Sequence, residues 1–492
     1  MVIRLLVPLL CIAVLSGAAE SPSRPNILLA IGDNWAWPHA GALGDPTVKT
    51  PTFDRIARQG LVFENAFCPV PSCAGSRSCL VTGRPAHQLK GAASLAGEFH
   101  KFDAFTELLE EAGYEVGFSG KGWGPGLYRE FGWKKNPAGS KYKSFEEFME
   151  NRDPAKPFFF WHGNTSVAQG KWKYDPEAWG EMTLDTVTVP PYLPDIREVR
   201  ETIMAYYAGV QNQDRIFGEA VARLEEENLL EETLIIYTSD NGWQMPRGLA
   251  NCYDAGTRIP LAMRWGNKLE SGRTTDEFVS LTDFGPTFLE LAGADIPGEM
   301  TGVSFADAMF GKESPVERDH IFLERERHAN VREGNLSYPM RSIRTKDFLY
   351  IWNMRPDRWP AGDPDAWYSV GDFGDVDNSW AKEHIVEHRD DPEIQPYFQL
   401  SFGKRPEEEL YDLRKDPDQI SNVAGDAAYG ETRSNLRARV EKWMADTDDP
   451  RIDPAYDEWD EYPYHTKPTG FDEDGNPNSR RDRWAGRLRP DE

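Results

Sequence analysis

The stretch PSCAGSRSCLVTGR, residues 71–84, sets a thiol and a guanidinium four positions apart, which places Cys73 and Arg77 one turn from each other on a helix. The start of a helix attracts negative charge, because its free N–H groups and its dipole both point there. Cys73, or a derivative of its thiol, is therefore placed to act as a nucleophile facing an anionic group. The same residues also suit a plainer arrangement, a disulfide from Cys73 to Cys79 or Cys68. With Cys11 assigned to a leader, only Cys68, Cys73, Cys79 and Cys252 remain. They are too few and too clustered for a disulfide framework, and no CxxC pair or nearby histidine pair gives them the spacing of a zinc site.

Two apolar runs end in matching oxygen-rich corners. PNILLAIGDN stops at Asp33 and Asn34, and TLIIYTSDNG stops at Asp240 and Asn241. Each run reads as a strand buried on both faces. Ligands of such sheets bind beyond the carboxyl ends of the strands, so the two corners can converge on one site. Asp33 and Asp240 would repel each other there unless a cation lay between them.

Helices and strands must alternate to bring these corners together. TPTFDRIARQG and DAFTELLEEAG read as amphipathic helices, and YEVGFSG reads as a short strand. A long helix is expected from about Asp195 to Leu230, after the proline-rich TVPPYLPD. The fold class is α/β. Near residue 315 the pattern changes, with HIFLERERH and MRSIRTKDFLYIWN reading as antiparallel strands and a late helix falling within 422–446. The expected organisation is a catalytic domain over 24–314, a smaller α+β domain over 315–447 and an acidic, Pro- and Tyr-rich tail over 448–492. In the smaller domain, the arginines of RERHANVREGNLSYPMRSIR would offer a positive wall to an anionic ligand.

Residues 1–19 carry a basic start, an apolar run and small residues, the features of a secretory leader, so export to the periplasm or beyond is expected. The run is about half of what a membrane span needs, which argues against stable membrane insertion. A net charge of -26, from 55 basic and 81 acidic residues, argues against nucleic acid as a partner. An anionic substrate would need a local positive site in such a chain.

The stretch at 71–84 resembles the sulfatase signature, CxPxR followed by xxLxTGR, at Cys73, Arg77, Leu80, Thr82, Gly83 and Arg84. RPNILLAIGDN, TPTFDRIARQGLVFENAF, GYEVGFSGKGWGPG, YTSDNG, YDAGTRIPL and EELYDLRKDPDQISNVA follow the order seen in that family, so the likeness runs from Arg24 to about Arg451. SDNG with its following proline, NCYDAGT and YPMRSIRT are most similar to the heparan N-sulfatase branch.

The resemblance implies a large mixed sheet sandwiched by helices, as in alkaline phosphatase, with a smaller C-terminal domain. It also implies that a formylglycine-generating enzyme oxidises Cys73 to formylglycine, whose hydrate attacks sulfur while Arg77 holds it and Lys121 touches the sulfate. Calcium is implied at Asp33, Asn34, Asp240 and Asn241 together with the group made from Cys73. That oxygen-rich set, free of histidine, suits calcium better than zinc. The implied substrate is a sulfated sugar or polysaccharide carrying O-sulfate or N-sulfate.

Several residues depart from the family pattern. Gly75 stands where the modifying enzyme reads Pro or Ala. Asn34 replaces an aspartate, and Trp123 replaces a histidine. SVAQ, Ser166 to Gln169, replaces a segment whose histidine would fall at Ala168, and Leu249 replaces a lysine or arginine. His162 and Arg247 lie close enough in sequence to substitute as substrate-binding groups. Two further readings stay open at this point. One is a degenerate homologue that binds sulfated glycan with little turnover. The other is a phosphatase or phosphodiesterase of the wider group, disfavoured because no histidine lies near the two corners.

Overall fold

The computed structural model describes residues 24–168, 175–365, 367–369 and 371–467. The expected leader, Gln169 and residues 468–492 of the expected tail lie outside the described residues.

Eight strands form the larger sheet: β1 (Asn26–Gly32), β2 (Leu61–Phe67), β3 (Glu115–Ser119), β4 (Ser140–Lys141), β5 (Phe158–Gly163), β6 (Thr233–Ser239), β7 (Leu261–Arg264) and β8 (Arg273–Ser280). Their order is β4-β3-β5-β1-β6-β7-β2-β8. Only β7 runs against its neighbours, so the sheet is mixed. Because successive side chains leave opposite faces, Ile27, Leu29 and Ile31 enter one apolar core while Leu28 and Ala30 enter the other. On the Leu28 side lie α1 (Pro51–Arg58), α4 (Phe145–Asn151) and α5 (Arg197–Glu226). On the Ile27 side lie α2 (Cys73–Thr82), α3 (Phe105–Glu111) and the helix Phe284–Ala292. Both faces are covered, which is why β1 and β6 read as unbroken apolar runs.

A second sheet of four antiparallel strands follows: β9 (His320–Arg325), β10 (Met340–Thr345), β11 (Phe348–Asn353) and β12 (Glu408–Asp412), in the order β12-β11-β10-β9. One face packs Ile343, Tyr350 and Leu410 under Leu436, Val440 and Met444 of the helix Gly430–Asp446. The other packs Leu323, Met340, Leu349 and Ile351 against Phe67, Cys252, Tyr253 and Phe278, which docks the small sheet on the large one. The helices Trp380–Glu387 and Gln395–Phe402 lie between β11 and β12 in the chain, yet they join the core on the α5 side. The described part of the tail is packed as well. Trp459 enters the core beneath α2 and α3, and Arg451 pairs with Glu326.

The arginines of residues 325–344 do not form the positive wall expected from the sequence. Arg325 and Arg332 both pair with Asp375, Arg341 pairs with Glu326 and Asp449, and Arg344 pairs with Asp254. Arg327 is buried and donates to the carbonyls of Asn335 and Tyr462. These charges hold the second sheet and the tail in place, because a buried guanidinium is tolerated only with such partners. Among the described residues, no helix is long and apolar enough to cross a membrane.

Candidate active site

The parallel pairing of β1 with β6 brings the two corners together. Gly32 lies opposite Ser239, so Asp33 and Asp240 leave adjacent strands side by side at the carboxyl edge. The loop after β2 delivers Cys73 to the same edge, at the first turn of α2. One ligand atom from each of Asp33, Cys73 and Asp240 lies within 4.8 Å of the others. All four described cysteines are free thiols, so a disulfide from Cys73 to Cys68 or Cys79 is not formed.

Arg77 reaches the centre from one turn along α2. Its Nε donates to Oδ2 of Asp240 at 2.7 Å, and Nη1 donates to the carbonyls of Lys121 and Gly122 at 2.7 and 2.9 Å. The guanidinium thus fixes both the β6 corner and the loop after β3. That loop presents Lys121, whose Nζ donates to Oδ1 of Asp33 at 2.6 Å. The loop can lie so low only because Gly120 and Gly163 lack side chains. A Cβ at Gly120 would meet the Gly163 carbonyl oxygen at 2.0 Å, and one at Gly163 would meet that of Lys121 at 2.0 Å.

The local electrostatics follow from burying two carboxylates beside two cations. Burial raises the Asp33 pKa, but Lys121 and Arg77 outweigh it and hold the group below the usual carboxylate range. At Asp240 burial prevails over Arg77, with Asp33 adding to it, and the pKa rises to about 6. Burial works against the Lys121 charge, yet Asp33 and its neighbours raise that pKa. The Cys73 thiol is pushed up to about 11, chiefly by burial, so this cysteine is not a preformed thiolate nucleophile.

Asn34 and Asn241 complete the cluster. Asn34 has a φ of 72°, donates from its backbone N–H to Oδ1 of Asp240 at 3.1 Å, and accepts from Nδ2 of Asn241 at 2.6 Å. Oδ1 of Asn241 is buried with no hydrogen-bond partner. An orphaned amide oxygen beside two carboxylates is the donor chemistry of a hard cation, so these residues fit calcium.

The two proposed substitutes do not join this centre. Arg247 is buried with its guanidinium 3.8 Å from the Tyr253 ring centroid, and it donates to the carbonyls of Leu400 and Gln419. It borders a separate cavity of about 500 Å³ lined by Trp37, His39, Tyr192 and Trp243. His162 faces the α5 side of the sheet, with its ring 4.9 Å from that of Phe217. Burial lowers its pKa to about 4.

Two other departures from the family pattern, Trp123 and Gly75, have physical reasons. Trp123 is a core residue that donates from Nε1 to Oγ of Ser78 at 2.7 Å and packs on Phe99. A Cβ at Gly75 would meet the carbonyl oxygen of Ala93 at 2.5 Å. Leu249 is buried at 3% exposure but joins none of the apolar clusters of the described residues. Ala168 donates its N–H to the Thr165 carbonyl.

One residue at the centre was missed by motif reasoning. Nδ1 of His328 lies 2.8 Å from Oγ of Ser72, the residue before Cys73. His328 sits among the arginines of RERHANVR, where the charge pattern conceals a single imidazole.

Residues 25–154 and 140–294 match the sulfatase family model. The chain belongs to the sulfatase family. Residues 247–363 of this sulfatase also match a model described as N-sulphoglucosamine sulphohydrolase, C-terminal. The sulfatase is 28% identical to N-sulphoglucosamine sulphohydrolase of Homo sapiens, over 90% of this chain and 94% of the relative. It is 24% identical to an ulvan-active sulfatase of Formosa agariphila, over 86% of this chain and 75% of the relative. Its fold is shared with the solved structure of BT4656 in complex with its substrate D-glucosamine-2-N,6-O-disulfate, at a TM-score of 0.58 and 20% identity over 88% of this chain and 99% of that one. The phosphonate monoester hydrolase of Agrobacterium radiobacter shares it too, at a TM-score of 0.59 and 17% identity over 86% and 96% of the two chains. The fold alone therefore does not choose the ester. Membership of the family makes this chain a sulfuric ester hydrolase by class.

Proposed function

We propose that this sulfatase is an exported enzyme that uses calcium and a formylglycine made from Cys73 to hydrolyse sulfate ester or sulfamate groups of a sulfated sugar. The observation that carries the reading is the convergence of Asp33, Cys73 and Asp240 within 4.8 Å, with Lys121 on one carboxylate and Arg77 on the other. The likeness to relatives named for sulfated sugars, N-sulphoglucosamine and ulvan among them, supports the choice of substrate class.

Asp33, Asn34, Asp240 and Asn241 would hold the calcium, which supplies Lewis-acid polarisation of the sulfate oxygens when bound. Formylglycine, once formed, supplies a hydroxyl of its hydrate as the nucleophile toward sulfur. The chain's own residues do the rest. Lys121, a permanent cation at this site, binds the sulfate and neutralises its charge. Arg77 orients Asp240 and pins the Lys121 loop so that neither has to reorganise during the reaction. Every residue of α2 is buried, so the modifying enzyme has to reach Cys73 before this segment folds.

A second reading, a homologue that binds sulfated glycan with little turnover, is favoured by one observation. Leu249 places an apolar side chain where the family resemblance implies a cation. Mass spectrometry of the Cys73 peptide, from protein produced with the modifying enzyme, together with assays on sulfated monosaccharides, separates the two. A converted, active protein whose Cys73→Ala variant is folded and inactive supports the enzyme. Conversion without turnover supports the binder, and full activity in Cys73→Ala removes the mechanism.

A further inference from the structure

After β9 the chain runs on from the second sheet to the start of α2, and His328 is held there from both sides. Its carbonyl accepts from the N–H of Leu95 at 2.9 Å, and the N–H of Ala329 donates to Oδ1 of Asp375 at 3.1 Å. His328 is buried, with a relative exposure of 6%. Nδ1 faces Oγ of Ser72 at 2.8 Å. Ser72 is the N-cap residue of α2, yet its side chain makes no cap bond to the helix. Its hydroxyl is thus free to serve the histidine. Nε2 of His328 has no hydrogen-bond partner among the described residues and, unlike Nδ1 of His162, is not among the buried atoms left without one. One nitrogen is anchored beside Cys73 and the other remains open.

The charge of this ring is settled by its surroundings. Burial lowers its pKa to about 4; Asp375 opposes the shift, while Arg325 and Lys121 reinforce it. A neutral imidazole whose Nδ1 accepts the Ser72 hydroxyl proton carries its own proton on Nε2. In that tautomer Nε2–H is a hydrogen-bond donor.

Hydrolysis of a sulfate ester breaks the bond from sulfur to the departing oxygen and leaves the electron pair on that oxygen. Negative charge develops there, and a preorganised donor lowers the barrier. The two positions at which the family resemblance implies histidines are occupied by Trp123, committed to the core, and Ala168, whose side chain has no donor.

We propose that Nε2–H of His328, reaching across from the second sheet, donates a hydrogen bond to the departing atom of the substrate at the Cys73 centre. The proposal rests on the sulfatase reading. His328 transfers no proton in this role. The departing oxygen keeps the electron pair of the broken bond and takes its proton from water, the co-reactant of hydrolysis.

The test uses full-length protein with conversion at Cys73 confirmed, assayed on phenyl sulfate and on 4-nitrophenyl sulfate, whose leaving group needs far less help. His328→Ala is expected to lose roughly 100-fold or more on phenyl sulfate and much less on 4-nitrophenyl sulfate, the size typical of losing one preorganised donor. His328→Gln, which keeps an N–H, should recover part of the loss. Ser72→Ala, which unlocks the ring, should show a smaller loss with the same dependence on the leaving group. A second arm titrates inorganic sulfate into Cys73→Ala with and without His328→Gln. Equal affinity is expected, since the donor faces the departing atom and not the sulfate. Equal losses on both esters, or weaker binding of sulfate itself, would overturn the assignment. If the wild-type protein is converted and hydrolyses neither these esters nor a sulfated monosaccharide, the sulfatase reading fails, and the role of His328 fails with it.

Discussion

Nε of Arg77 lies 2.7 Å from Oδ2 of Asp240, and both side chains are sealed from solvent. This pair ties the first turns of α2 to the end of β6. Removing one partner leaves a buried charge uncompensated, which typically costs about 3–5 kcal/mol. Arg77→Met is expected to lower the unfolding free energy by roughly that amount. Denaturant unfolding checks it, and a loss no larger than that of a surface arginine would show that the pair contributes nothing.

Gly75 is a packing requirement of α2. Because its Cβ would lie 2.5 Å from the Ala93 carbonyl oxygen, Gly75→Ala is expected to destabilise the fold by about 1–3 kcal/mol, despite the better helix propensity of alanine. Thermal unfolding decides the matter. A melting temperature equal to or above that of the wild type would mean that the turn at Lys90–Ala93 yields freely.

Calcium is expected to raise thermal stability, since it would bind folded protein between Asp33 and Asp240 and relieve their repulsion. At a free concentration 100 times the Kd the gain is about 2.7 kcal/mol. Scanning calorimetry with calcium, with zinc and with chelator checks both the effect and its selectivity. A melting temperature unmoved by all three removes the cation from the site.

Leu249→Lys is expected to raise turnover of 4-nitrophenyl sulfate in converted protein. The leucine is buried outside the apolar cores, on a loop whose next residue, Ala250, donates its N–H to the Pro71 carbonyl at 2.9 Å. Loss of a preorganised cation typically costs about 100- to 1,000-fold in rate, so even partial restoration should be measurable. A lower rate in the variant would show that the site is built around the leucine.

His87 provides a pH-dependent clamp between the two sheets. Nδ1 lies 3.0 Å from Oε2 of Glu324 on β9, and Nε2 faces the Thr447 carbonyl at 3.2 Å, with Asp449 and the Arg341 guanidinium nearby. Burial lowers the His87 pKa, but Glu324 and Asp449 outweigh it, and the folded value lies above the ordinary 6.5. The clamp therefore contributes fully below about pH 6.5 and is lost as pH rises through the folded value. The stability difference between wild type and His87→Gln should shrink as pH rises from 6.5. A difference constant with pH would show that His87 does not titrate there.

The frame of this protein is legible in local sequence patterns. Apolar runs that end in Asp33–Asn34 and Asp240–Asn241 dictated two central strands, since a run without polar alternation is stable only when both faces are covered. Cys73 and Arg77 are legible because their spacing relative to a helix start is local information, and Lys121 is legible only through the family resemblance. The tertiary structure alone decided which distant residues share the centre. Arg247 is two residues from Leu249 and His162 is six from Ala168, but backbone direction and strand alternation turn both away from Cys73. His328 is more than 250 positions from Ser72, yet docking of the second sheet on the first sets them 2.8 Å apart. The arginines around it looked like a binding surface because composition cannot reveal partners, and the carboxylates that neutralise them, Asp375 and Asp449, come from segments that only folding brings near.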